Sequence, residues 1–199
     1  MDDGPADDAM IGRLQGLFGR RGTEAYLGEA VSVATHMLQC AALARVEGAP
    51  DSLVAAALLH DVGHITEPTD AYSPDDTTDH RHEEIGADFL RDHFPPNVVE
   101  PIRLHVAAKR YLCAVDPDYA ARLSPASQHS LILQGGAMDG PEVAAFEREP
   151  FFREAVLVRQ WDDAGKIRDL AVPSIDGYRA LLETLIRQKQ KITCESPRR

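Results

Sequence analysis

The sequence predicts an all-α helical bundle, and three features predict it. Alanine and leucine are abundant while aromatic residues make up only 6% of the chain, a balance that favours helix over sheet. Apolar residues recur at helical spacing in several stretches, and Gly, Pro and acidic residues punctuate the gaps between them. A length of 199 residues suits one domain with a single core, spanning 1–199, with 1–8 and 192–199 expected as loose tails.

The opening run from Met1 to Asp8 is acidic, lacks an apolar face and should fray. Leu14, Leu17 and Phe18 then mark a short amphipathic helix that Gly22-Thr23 ends. A second helix is expected from about Glu29 to Glu47, with Val33, His36, Cys40 and Leu43 on one apolar face and Gly48 as its stop. Asp51 can cap a third, running unbroken to His64 and apolar nearly all round, hence central. Ile65 to Asp79, acidic and marked by Pro68 and Pro74, reads as a loop of a length usually functional or disordered. Further helices should cover His82–His93, Asn97–Leu112, Pro125–Gln134, Pro141–Glu147, Phe151–Ala164 and Ser174–Lys191, the last announced by Val172-Pro173-Ser174.

A formal charge of -11 argues against non-specific nucleic-acid binding, which needs Lys and Arg to neutralise phosphates. The longest apolar runs are broken well before the ~20 residues of a membrane span, and no signal peptide opens the chain, so a cytoplasmic address is expected. Cys40, Cys113 and Cys194 form no paired motif and are expected reduced, with Cys40 and Cys113 as small core residues. The sequence leaves the oligomeric state open, a monomer included, and the expected partner is a small molecule.

The informative pattern is His36, His60-Asp61-Val62-Gly63-His64, His82 and His105. His60 and Asp61 are adjacent at the end of an apolar helix, so they point about 100° apart and meet metal only if that end borders a polar cavity. An ionised Asp there is costly to bury without a partner. Imidazole and carboxylate without thiolate suit iron, manganese or zinc. Any one of these histidines reads equally well as a hydrogen-bonded core residue. Several of them, aimed inward from separate helices, are hard to explain without a shared cation.

Asp162 is a further candidate, with Arg159 three residues before it and Lys166 four after, though ordinary helix ion pairing explains that trio equally well. Lys109 lies four residues after His105 and projects from the same face. A cation beside a metal is well placed only if an anion comes too. Phosphate or phosphonate is the natural guest, with Lys109 as a point charge and Arg159 as a bidentate fork. The alternative is a solvated lysine opening a basic patch with Arg110.

The series His36…His60-Asp61…Asp162 resembles the HD-domain superfamily, whose usual implication is a metal-dependent phosphohydrolase. His82 and His105 extend it, together with Tyr26-Leu27-Gly28-Glu29-Ala30, Arg81-His82-Glu83-Glu84-Ile85-Gly86-Ala87-Asp88, His105-Val106-Ala107-Ala108-Lys109-Arg110-Tyr111-Leu112, Gln134-Gly135-Gly136-Ala137-Met138 and Arg159-Gln160-Trp161-Asp162. With these, residues 26 to 180 resemble the mixed-valent di-iron oxygenase branch, which includes inositol oxygenase and the phosphonate-cleaving PhnZ-type enzymes.

The resemblance implies that His36, His60, Asp61 and Asp162 hold one iron, while Asp61, as a bridge, with His82 and His105 holds the other. An Fe(II)/Fe(III) pair would use O2 as co-substrate. It implies catalytic roles for Tyr26, Glu29 and His64, and phosphonate binding by His64, Lys109, Ser127, Gln134 and Arg159. Glu29 would face the substrate's ammonium end, and Tyr26 would be a movable plug on the open iron position. The implied reaction is oxidative cleavage of the carbon-phosphorus bond of 1-hydroxy-2-(trimethylammonio)ethylphosphonate or 2-amino-1-hydroxyethylphosphonate. It would release phosphate and glycine betaine or glycine. Glu67, Asp70, Tyr72, Asp75, Asp76 and Asp79 tilt the expectation toward the trimethylated substrate, solvation of an exposed acidic loop being the alternative. The rivals are a phosphohydrolase of a nucleotide or phosphate monoester and a non-catalytic metal-binding or signalling module. His80, His93 and His129 are expected at the surface or behind the ligands, and Trp161 in the core.

Overall fold

Leu53 through Leu59 are buried without exception, so the third helix of the chain has no solvent face and the other helices must enclose it. The computed structural model describes residues 4–23, 29–66 and 77–195, and among them it is helical throughout, with no strand. The order is α1 (Gly4–Arg20), α2 (Val33–Val46), α3 (Asp51–Leu59), α4 (Gly63–Thr66), α5 (His82–Leu90) and α6 (Pro96–Val115). There follow α7 (Tyr119–Arg122), α8 (Pro125–Leu133), α9 (Gly140–Phe146), α10 (Phe152–Ala164), a 3-10 turn (Ile175–Tyr178) and α11 (Arg179–Glu195).

Helices α2, α6 and α10 surround α3, and α10 also lies along α6 and α2. Helix α5 packs on α6 and α4, while α1 and α11 pack on each other and close one side. Met37, Leu58, Leu59, Leu90, Phe94, Ile102 and Leu182 meet in the main core, where each such side chain contributes roughly 1.5–3 kcal/mol by leaving water. A smaller cluster of Leu104, Ala108, Phe146 and Ala155 ties α6 to α9 and α10. No helix among the described residues is long and apolar enough to cross a membrane.

Several expectations need correction. Helix α1 already includes Gly4 to Asp8, where a frayed tail was expected; acidic residues at a helix N-terminus complement its dipole. Helix α2 begins at Val33 and not near Glu29, because Ser32 caps it by accepting from Thr35 N at 3.2 Å. Helix α5 ends at Leu90, short of His93, and α11 runs to Glu195, past the expected end at Lys191. Helix α7 was not foreseen. Cys40 is buried as expected, but Cys113 is only half-buried. Trp161 is in the core, donating Nε1–H to Glu47 at 2.9 Å. His80, His93 and His129 are half-buried. Tyr26, Glu67, Asp70, Tyr72, Asp75 and Asp76 lie outside the described residues.

The most consequential difference concerns α3, which does not continue to His64. After Leu59 the chain tightens into three-residue turns, with Val62 N bonding Leu59 O, His64 N bonding Asp61 O and Ile65 N bonding Val62 O, each at 3.0 Å. This winding re-aims His60 and Asp61 and delivers Gly63 onto the start of α5. A Cβ on Gly63 would sit 2.0 Å from the His82 carbonyl oxygen, so only glycine permits the approach. Arg81, in the left-handed region at φ 52°, turns the chain just before His82. The Gly63→Ala protein should therefore lose about 1–3 kcal/mol of stability through overpacking, read as a lower thermal midpoint, with displacement of His82 seen as weakened metal retention.

Candidate metal centre

Six buried side chains from five places in the bundle converge: His36 from α2, His60 and Asp61 from the turn after α3, His82 from α5, His105 from α6 and Asp162 from α10. Asp61 stands in the middle. Its Oδ2 lies 3.6 Å from His36 Nε2 and 3.4 Å from His60 Nε2, and those two nitrogens are 3.2 Å apart. Asp162 Oδ1 joins this group at 3.3 Å from His36 Nε2 and 3.9 Å from His60 Nε2. The other oxygen of Asp61, Oδ1, lies 3.3 Å from His82 Nε2, 3.7 Å from His105 Nε2 and 3.8 Å from His64 Nε2. The His82 and His105 Nε2 atoms are 3.1 Å apart. One carboxylate thus separates two histidine groups and turns one oxygen to each.

The far side of the rings fixes their protons. His36 Nδ1 is 2.8 Å from Gly165 O, His60 Nδ1 2.9 Å from Ala57 O and His105 Nδ1 2.7 Å from Ile102 O. A carbonyl only accepts, so Nδ1 donates and a neutral ring presents its lone pair at Nε2. His82 Nδ1 has the Glu83 carboxylate 3.6 Å away. Gly165 makes its contact possible because a Cβ there would lie 2.4 Å from Cys40 Sγ. Asp162 Oδ1 is buried with no hydrogen-bond partner. Acceptors therefore face acceptors, an arrangement that repels unless a cation lies among them. Metal–nitrogen and metal–oxygen bonds of about 2.1 Å place neighbouring ligands roughly 3.0–3.5 Å apart, so these donor sets fit metal ions.

Charge agrees with that use. Burial pushes Asp61 up, but His60 and then His64 outweigh it and hold the carboxyl well below its ordinary range. Asp162 is likewise held low against its burial, chiefly by Arg159. Burial pushes His60 down, yet Asp61 prevails and raises it to about 9, so without a metal His60 carries a proton that a bound ion must displace. Cys40 sits 3.8 Å from the His36 ring nitrogens and donates to Trp161 O at 3.3 Å. Burial, with Asp162 and Asp61, pushes its thiol up, so without a metal it borders the first group as a neutral side chain, while its Sγ lies close enough to His36 and His60 to join them around an ion.

Cationic side chains flank the histidines. Lys109 is buried, donates to Ser130 Oγ at 2.9 Å, and is pulled down to about 7 by burial and then by the charge of Arg159. The solvated patch with Arg110 is thereby excluded, since Arg110 leaves on another face to pair with Glu142 at 2.8 Å. Arg159 is buried and donates to Asp162 Oδ2 at 2.6 Å, to Tyr119 Oη at 3.0 Å and to Asp163. Ser127 is buried and accepts from Lys166 Nζ at 3.2 Å. Glu29 accepts from Ser124 at 2.5 Å and from Lys166 at 3.2 Å. Gln134, at the end of α8, has a buried Oε1 with no hydrogen-bond partner. The His64 ring stacks on His82 with centroids 4.1 Å apart, and burial followed by the charge of His82 keeps it neutral.

Sequence reasoning had missed Tyr119, Asp163, Ser124 and Ser130, and had treated Lys166 only as a helix partner of Asp162. Lys166 follows Gly165, beyond the end of α10, which frees its side chain from helical spacing. No spacing rule could have found Tyr119, which reaches Arg159 from a helix of four residues.

The HD domain family model matches residues 33–162. A 1-hydroxy-2-(trimethylamino)ethylphosphonate dioxygenase (glycine-betaine-forming) of Leisingera caerulea is 48% identical over 173 residues, covering 87% of this chain and 88% of that protein. A hydroxymethylphosphonate dioxygenase of Gimesia maris is 43% identical over 164 residues, 82% of each chain.

Metal analysis after reconstitution should find about two ions per chain in the wild type, one in His36→Ala or in His82→Ala, and fewer than one in Asp61→Ala. Equal losses in all three variants would contradict a carboxylate shared between two groups.

Proposed function

We propose that this chain, which belongs to the HD-domain family and within it to the phosphonate dioxygenases, holds two irons and cleaves the carbon-phosphorus bond of a small 1-hydroxyphosphonate with dioxygen. The observation that carries this reading is Asp61, one oxygen toward His36 and His60 and the other toward His82 and His105. The relatives' names support it, since both act on hydroxylated phosphonates as dioxygenases. Iron suits a donor set of imidazole and carboxylate. When bound, the iron pair would supply Lewis-acid anchoring of the substrate's hydroxyl and phosphonate oxygens and the redox chemistry of dioxygen.

The chain's own residues do the rest. Lys109 and Arg159 place positive charge where a phosphonate dianion must come to rest beside the irons. Of the five N–H groups of a guanidinium, Arg159 commits three to Tyr119, Asp162 and Asp163, which fixes its plane and leaves two for a bidentate grip. Ser127 and Gln134 add neutral hydrogen-bonding groups. His64, neutral and stacked on His82, can offer or accept a proton beside Asp61. Buried Lys109 takes up a proton as the anion enters, because its neighbours then favour the charged form.

The overall change balances as an oxygenation. A hydroxyphosphonate R–CH(OH)–PO3 dianion and O2 give R–COO⁻, HPO4 dianion and one proton. The carbon-phosphorus bond breaks, and each product gains one oxygen atom. For the trimethylated substrate R–COO⁻ is glycine betaine. Hydrolysis alone would have to expel a poor carbon leaving group, so oxidation at C1 is the more accessible route.

Phosphate release from 1-hydroxy-2-(trimethylammonio)ethylphosphonate by protein reconstituted with Fe(II) and ascorbate should require dioxygen and match glycine betaine one for one. Release from phosphate monoesters without dioxygen, with neither phosphonate reacting, would make the site hydrolytic. In pH profiles, kcat/KM should fall as pH rises through about 7, because Lys109 loses its charge there. Lys109→Met should remove that limb and lower kcat/KM by about 10–100-fold.

A further inference from the structure

Lys166 is fixed to the centre through its backbone, because the preceding carbonyl, Gly165 O, accepts from His36 Nδ1 at 2.8 Å. Its side chain is only 13% exposed and its ammonium bridges two groups, Glu29 Oε1 and Ser127 Oγ, both at 3.2 Å. The Glu29 carboxylate is equally enclosed, at 15% exposure, and also accepts from Ser124. The positive charge of Lys166 helps to hold the Asp162 carboxyl low, which places it within electrical reach of the first histidine group. A half-buried carboxylate needs a cation, and here the protein supplies one from within.

The two relatives differ in just this respect. One acts on a phosphonate whose tail carries a trimethylamino cation, the other on hydroxymethylphosphonate, which has no tail charge, and the chain is 48% and 43% identical to them. We propose that Lys166 is a specificity-determining residue whose ammonium occupies the seat for a cation on Glu29. A hydroxyphosphonate without a cationic tail binds with the Glu29–Lys166 pair closed. One with a cationic tail takes the seat on Glu29 and leaves Lys166 on Ser127, to which it is already bonded at 3.2 Å. This inference rests on the phosphonate chemistry proposed above.

The test is calorimetric binding of hydroxymethylphosphonate and 1-hydroxy-2-(trimethylammonio)ethylphosphonate to the anaerobic Fe(II)-loaded protein. Lys166→Met should shift the ratio of the two Kd values by about tenfold toward the cationic ligand, and Lys166→Gln, which can keep the bond to Ser127, should shift it in the same direction. Lys166→Arg should leave the ratio within about threefold of the wild type. Equal weakening of both ligands, or an unchanged ratio in the Gln variant, overturns the role of Lys166 while the phosphonate reading stands. A wild-type protein that binds neither ligand and releases no phosphate in air overturns the phosphonate reading, and this inference with it.

Discussion

The structure depends on one buried carboxylate with too many lone pairs around it. Asp61 is 1% exposed, just past a central helix that is apolar from Leu53 to Leu59, and the ring nitrogens of four histidines lie within 3.7 Å of it. With its rings neutral such a cluster is short of donors, because each of three rings gives its one proton to a backbone carbonyl behind it. Cations resolve the conflict, and several local features follow from the need to build around them. The chain tightens after Leu59, Gly63 lets that turn touch α5, and Gly165 lets the end of α10 reach α2.

The same requirement couples folding to metal. Asp61, Asp162, Arg159 and Lys109 are all buried, and buried charges lacking full compensation weaken a fold. The Arg159–Asp162 pair offsets part of this cost, and ligands that bind only the native state supply the remainder. Arg159 consequently serves two ends. It steadies Asp162 on one side, while Tyr119 and Asp163 hold it on the other, where the proposed function places the anion. Among the described residues Lys109 has no carboxylate within hydrogen-bonding distance, its bond being to Ser130, and its lowered basicity reflects that position.

Much of this was legible in the residues. Helical periodicity located most of the helices, and the wholly apolar stretch before His60 identified the centre of the bundle. The inward histidines on separate helices pointed to a shared cation because no ordinary core needs so many. The divided arrangement about Asp61 was another matter. It depends on three-residue turns at Val62 and His64 that no periodicity announces, and an unbroken helix was expected there. Lys166 was hidden for a related reason, since helical spacing assigned it to the face of Asp162 although α10 ends at Ala164. Glu29 and Ser127 are 98 positions apart in sequence, and only the fold brings them to the same lysine.

Electron paramagnetic resonance of the partly oxidised, iron-loaded protein tests the central claim most directly. If Asp61 bridges two irons that work together, the wild type should show the signal of the single net unpaired electron left by antiferromagnetic coupling of high-spin Fe(II) and Fe(III), altered when a hydroxyphosphonate is added. Asp61→Ala should abolish it. A wild-type spectrum containing only isolated high-spin ferric iron, unchanged by the phosphonate, would contradict the account.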